Sequence, residues 1–111
     1  MKRIVNGVIY NDEAAQKIAS DWNGTDSRDF HYFCEDLMIT KKGNLFISGS
    51  GGALTKYAES CGRNQTTGSN RIKPLTPEEA MEWCEQANVG EEGIEKLTKV
   101  LKKQGVKLEE A

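Results

Sequence analysis

Apolar and polar positions along the chain alternate in two different rhythms, and the change between them predicts the order of elements. Ile4-Val5 and Val8-Ile9-Tyr10 flank Asn6-Gly7. An Asn-Gly pair between β-branched residues predicts a tight hairpin, because both central residues of a type I′ turn need positive φ. Asn11 or Asp12 can cap the next element, in which Ala14, Ala15, Ile18, Ala19 and Trp22 recur at helical spacing, with Glu13, Gln16 and Lys17 on the wet side. That pattern predicts a helix packed on a sheet, ended by the loop of residues 23–27.

From Phe30 to Thr40 aromatic and β-branched content rises, and Lys41-Lys42-Gly43-Asn44 separates this run from Leu45-Phe46-Ile47, which predicts a second antiparallel hairpin. Phe30, Tyr32 and Cys34 share one parity, whereas Leu37 and Ile39 share the other. A bulge near Glu35-Asp36 would turn both sets to one side. Ser48-Gly49-Ser50-Gly51-Gly52 is expected to close the strand, and Ala53 to Glu59 to form a short helix with Leu54, Tyr57 and Ala58 inward. Cys61 to Asn70 is polar and glycine-bearing, as an exposed loop would be. Arg71 to Leu75 is extended, and Pro74, lacking a donor, assigns it to a sheet edge.

Thr76-Pro77-Glu78-Glu79 is a helix start with every part in place: Thr76 as N-cap, Pro77 at the first position and Glu79 to complete a capping box. Ala80, Trp83, Cys84 and Ala87 form its apolar stripe, and Glu78, Glu82 and Glu85 a solvated flank. A last helix is predicted from about Glu91 to Gln104, with Ile94, Leu97 and Leu101 inward, acids first, and Lys102-Lys103 last. Gly105 ends it, and Val106 to Ala111 reads as a loose tail. The expected architecture is α+β: one domain over residues 1–105, an antiparallel sheet built from the two hairpins plus the Arg71–Leu75 edge, and helices on one face.

Composition narrows the function classes. With 111 residues the chain suits one modest core, as a monomer or small homo-oligomer. Its 15 basic and 17 acidic residues, net charge −2, fit neither a strongly basic nucleic-acid binder nor an extreme polyanion. No apolar run approaches the roughly 18 residues of a membrane span and the start turns polar early, so the expected setting is cytoplasmic, with no membrane contact. The 3 cysteines, Cys34, Cys61 and Cys84, contain no C-x-x-C pair and read as reduced thiols.

Candidate chemistry is sparse. Gly49, Ser50, Gly51 and Gly52, with Lys56, could cradle a phosphate or carboxylate at a helix N-terminus, charge being added by Arg63, Arg71 and Lys73. The tract lacks the Gly-Lys-Ser/Thr of a P-loop, and a tight strand-to-helix turn is the simpler reading. His31, Cys34, Cys61 and Cys84 supply four atoms that zinc accepts, although a strand, a loop and a helix would have to converge on them. A Cys-His nucleophile has no local signature here, and Glu35-Asp36 or Asp26-Asp29 as acid–base pairs compete with ordinary solvated turn charge. No cofactor is implied, and the chain reads as a non-enzyme. Tyr32, Phe33 and Tyr57 are candidate aromatic anchors for a protein partner, and Glu78, Glu82 and Glu85 candidate acidic contacts.

The segments IVNGVIYNDEAAQKIA, DFHYFCEDLMITKKGNLFISGSGGALTKYAES and RIKPLTPEEAMEWCEQ together resemble a family of small proteins carried by phages and mobile elements of Gram-positive bacteria. The matching motifs are Thr40 to Ile47, Gly49 to Ala58, and Pro74 to Trp83. Ser50 stands where that family commonly has an acid and Thr55 where it commonly has serine. The resemblance implies an accessory protein that binds and blocks a host defence component, in particular an anti-CRISPR protein acting on a CRISPR effector nuclease. It would fill a basic nucleic-acid groove with acidic side chains or lock a mobile lobe by an aromatic contact. A nucleotide-signal sponge built on the glycine-rich turn and a zinc-stapled adaptor are the other two classes that the residues leave open.

Overall fold

In the computed structural model, which describes residues 1–24, 28–62 and 65–111, Asn6 and Gly7 have φ of 50° and 77°. Strands β1 (Lys2–Val5) and β2 (Val8–Asn11) therefore close into the expected hairpin, in register from Lys2↔Asn11 to Val5↔Val8. The hairpin is a sheet of its own. The main sheet contains β3 (Gln16–Trp22), β4 (Phe33–Ile39), β5 (Leu45–Gly51) and β8 (Ser69–Leu75), in spatial order 3-4-5-8 and antiparallel throughout. Strands β6 (Glu59–Gly62) and β7 (Gln65–Thr67) form a further small hairpin, and helices α1 (Pro77–Gln86) and α2 (Glu91–Lys103) complete an α+β fold.

The predicted first helix is a strand. Ile18 and Ala19, adjacent in sequence, are both buried, which β3 achieves through a register shift between Lys17 and Ala19. A bulged strand can present neighbouring residues to one core, so the Ala-rich spacing fits either period. Pairing decides between them: Ser20 Oγ donates to Asp36 at 2.6 Å, and Lys17 lies 3.7 Å from the same carboxylate. The bulge expected near Glu35-Asp36 is thus in the neighbouring strand. β4 pairs with β5 without interruption from Phe33↔Gly51 to Ile39↔Leu45.

Both parities of β4 are apolar because both faces of the sheet are covered. On one face Leu37, Leu45 and Ile47 pack with Ile18 and Ala19 under Ala80 of α1 and Leu97 and Leu101 of α2. On the other, Tyr10 of the opening hairpin packs on Met38 and Phe46, its ring 5.3 Å from that of Phe46. Ser48 Oγ donates to Asp12 at 2.7 Å and ties the two sheets together.

Four further expectations change. The expected helix from Ala53 to Glu59 is instead turns over residues 53–57, with Glu59 opening β6, since Thr55 Oγ1 donates to the Gly52 carbonyl at 2.8 Å and accepts from the Tyr57 amide at 3.1 Å, displacing helical bonds. The expected loop from Cys61 to Asn70 contains most of the β6–β7 hairpin and the start of β8; Arg63 lies outside the described residues. Ile94 is 47% exposed. There α2 meets β3 through Gly93, where an added Cβ would come within 3.0 Å of the Ala19 methyl. Val106 and Leu108, in the expected tail, pack partly buried on the helical core.

The α1 start is as expected. Thr76 Oγ1 accepts from the Glu79 amide at 3.1 Å, and Glu79 Oε1 accepts from the Thr76 amide at 3.0 Å. Thr76→Ala is expected to cost about 1 kcal/mol, measured by urea unfolding; an unchanged midpoint would show that Pro77 and tertiary contacts suffice. Among the described residues no helix is long and apolar enough to cross a membrane.

Candidate functional site

Glu35 occupies a core position of β4, on the same side as Phe33 and Leu37, and is only 5% exposed. A carboxylate there must be fully hydrogen-bonded to be tolerated. Three donors meet it: the Tyr57 hydroxyl at 2.5 Å, Trp83 Nε1 of α1 at 3.0 Å, and the Lys56 ammonium at 2.9 Å. Burial by itself pushes the Glu35 carboxyl up, but the bonds from Tyr57, Lys56 and Trp83 outweigh it and hold the group below the usual carboxylate range. Burial, and then the bond to Glu35, push the Tyr57 hydroxyl far above its ordinary value, so it remains a donor.

The glycines of β5 make this arrangement possible. Gly49 lies directly opposite Glu35, and a Cβ at Gly49 would overlap the Tyr57 hydroxyl and ring. The bare backbone lets the Tyr57 side chain approach the sheet closely; Ser69 Oγ, donating to the Tyr57 carbonyl at 2.6 Å, pins its main chain. Lys56 also sits 4.9 Å from the Phe33 ring centroid, a cation–π contact that adds to its pairing with Glu35.

Beside this cluster a cleft of about 400 Å³ opens between β8 and α1. Ile47, Leu75 and Trp83 give it apolar walls. Arg71 and Lys73, two apart on β8 and opposite Gly49 and Ile47, line one side, and Glu79 and Glu82 of α1 the other.

The residues singled out from sequence are redistributed by the fold. Gly49, Ser50 and Gly51 belong to β5, and no helix follows Gly52, so the expected helix N-terminus for an anion does not exist. Lys56, Arg71 and Lys73 do converge, but on the Glu35 cleft. Tyr57 is buried at 5% exposure and offers no free ring, whereas Tyr32 and Phe33 are half-buried and present part of theirs. The exposed aromatics among the described residues are Trp22 and Phe30, at 56% and 68%. Glu78, Glu82 and Glu85 are all exposed on α1.

His31 lies against Asp29, its Nδ1 3.3 Å from the carboxylate. Cys34 is on β4, Cys61 exposed on β6 and Cys84 half-buried on α1. Among the described residues no group of three His, Cys, Asp or Glu side chains is placed to hold a metal. Burial pushes the Cys34 and Cys84 thiols up, away from nucleophilic thiolate. Glu35 and Asp36, neighbours in a strand, point to opposite faces and do not form an acid–base pair; Asp26 lies outside the described residues. The Glu35 hub escapes sequence reasoning, although Phe33-x-Glu35-x-Leu37-x-Ile39 puts an acid in line with the core. Compared with protein-family models, curated proteins and solved structures, the chain matches none.

Proposed function

We propose that this protein is a non-catalytic inhibitor that binds a bacterial defence nuclease of the CRISPR effector class through the acidic outer face of α1. The observation that carries the reading is that Glu78, Glu82 and Glu85 are all exposed, spaced i, i+4, i+7, and without an ion-pair partner among the described residues. Like charges at this spacing repel by a few tenths of a kcal/mol per pair, roughly 0.2–0.5. The last turn of α1 contains no base to offset them. A cationic groove would relieve that repulsion and reward the charges, which in a solitary helix serve only solubility. Exposed Glu91, Glu92 and Glu95 of α2 extend the same sign, though Glu92 is 3.4 Å from Lys96. The resemblance of the three segments to mobile-element proteins supplies the class of partner.

The test is target-DNA cleavage by a panel of guide-loaded CRISPR effector nucleases with the full chain in excess. One effector is expected to be blocked and to co-purify with the protein. The variant Glu78→Lys/Glu82→Lys/Glu85→Lys should weaken inhibition by about tenfold or more while leaving the melting temperature close to wild type, since all three side chains are exposed. Undiminished cleavage across the panel, with no complex, ends this reading.

A further inference from the structure

We propose that the cleft between β8 and α1 is a binding site for a small organic anion: one carboxylate or singly charged phosphodiester on a planar, apolar body. The site shares Glu82 with the acidic face of α1, but its basic wall belongs to β8, and it does not depend on the inhibitor reading. Its size, about 400 Å³, falls in the ordinary range of small-ligand clefts, roughly 300–1,000 Å³.

The charge requirement follows from which lining groups are already paired. Lys56 is paired with Glu35 at 2.9 Å. Arg71 is only loosely engaged, 3.7 Å from the half-exposed carboxylate of Glu59, 3.5 Å from the Ala58 carbonyl and 5.9 Å from the Tyr57 ring centroid. Lys73 has no ion-pair partner among the described residues. Arg71 and Lys73 point the same way from β8, over Gly49 and Ile47, so positive charge collects along one wall, offset only in part by Glu79, whose carboxyl the bonds with Thr76, and then Lys73, help to hold down. The facing wall is negative: Glu79 is tied to the Thr76 amide at 3.0 Å, and Glu82 is exposed. One anionic group therefore fits against β8, whereas a second would meet Glu82 across the cleft.

The body of the ligand follows from the remaining walls. Ile47, Leu75 and the Trp83 indole are apolar, and the Trp83 N–H is already spent on Glu35, which fixes the ring in place. Tyr57, Lys56 and Trp83 are all held by one buried carboxylate, so this side of the cleft is set before any ligand arrives. A flat apolar group against Trp83 gains burial without disturbing a hydrogen bond.

Titration of the ¹⁵N-labelled full chain by two-dimensional NMR separates these requirements. Benzoate and cyclic AMP have one charge and a planar body, acetate has the charge alone, and benzamide the body alone. Benzoate or cyclic AMP is expected to shift the amides of Arg71 and Lys73 and the Trp83 indole N–H, with acetate and benzamide about tenfold weaker or worse. Arg71→Gln/Lys73→Gln should lose about tenfold in affinity with the spectrum otherwise intact, because both side chains are exposed, and Glu82→Gln should bind several-fold tighter. Scattered shifts, equal binding by the double variant, or benzamide matching benzoate would overturn the assignment.

Discussion

Glu35→Ala is expected to damage this protein as severely as truncation of a core residue, lowering stability by about 2–4 kcal/mol. The change leaves the buried Tyr57 hydroxyl and the Trp83 N–H without an acceptor and opens a hole beneath them. Lys56 contributes less to the loss, because its side chain is 59% exposed and can return to water. For a domain of this size the loss corresponds to roughly 10–20 °C in melting temperature. Glu35→Gln keeps the volume but one of its two terminal atoms donates instead of accepting, so it should fall between alanine and wild type.

The same carboxylate predicts a pH dependence. Its folded-state pKa is depressed below the ordinary 4.5 by the bonds from Tyr57, Lys56 and Trp83, which exceed the opposing effect of burial. A depressed acid contributes stability that is fully present above the unfolded pKa and disappears as pH falls through the folded one. Denaturation midpoints of wild type should therefore drop below pH 4.5, whereas those of Glu35→Gln should fall less steeply over the same interval. Parallel curves would mean that Glu35 is not the group linked to acid unfolding.

Gly49→Ala is expected to cost nearly as much, about 2–3 kcal/mol. One added methyl would occupy the position of the Tyr57 hydroxyl and the ring carbons next to it. The ring is rigid and buried, so it must swing away and give up its bond to Glu35. A double-mutant cycle isolates the cause: with Tyr57→Ala already in place, Gly49→Ala should cost little more, giving a coupling of about 2 kcal/mol. Additive losses would locate the damage in the β5 backbone instead.

These two positions also show why the centre of the molecule is hard to read from its sequence. A Ser-Gly-Ser-Gly-Gly tract suggests a turn because glycine permits turns. In the fold it continues a strand, and the lack of side chains serves a ring that arrives from further along the chain. Nothing in the local spacing reports that ring. Glu35-Asp36 likewise looks like turn charge, yet one acid faces Tyr57 and Trp83 and the other faces Ser20 and Lys17. Tyr32, Phe33 and Tyr57 read as anchors from residue type and from strand alternation, which puts a ring on each face, and neither registers burial by partners distant in the chain.

Sequence alone determined the features whose physics is confined to a few neighbouring residues. The Asn6-Gly7 turn, the Thr76-Pro77-Glu79 helix start, the charge polarity of α2 and the edge position of Pro74 belong to this group. Tertiary structure decided everything that depended on a partner: β3 in place of a helix, the turns of residues 53–57, the opening hairpin laid over the second face, and the convergence of Glu35, Lys56, Tyr57 and Trp83. Turn and cap energies are local, whereas a strand's pairing and a buried carboxylate's donors are chosen across tens of residues, where single-segment periodicity has no reach.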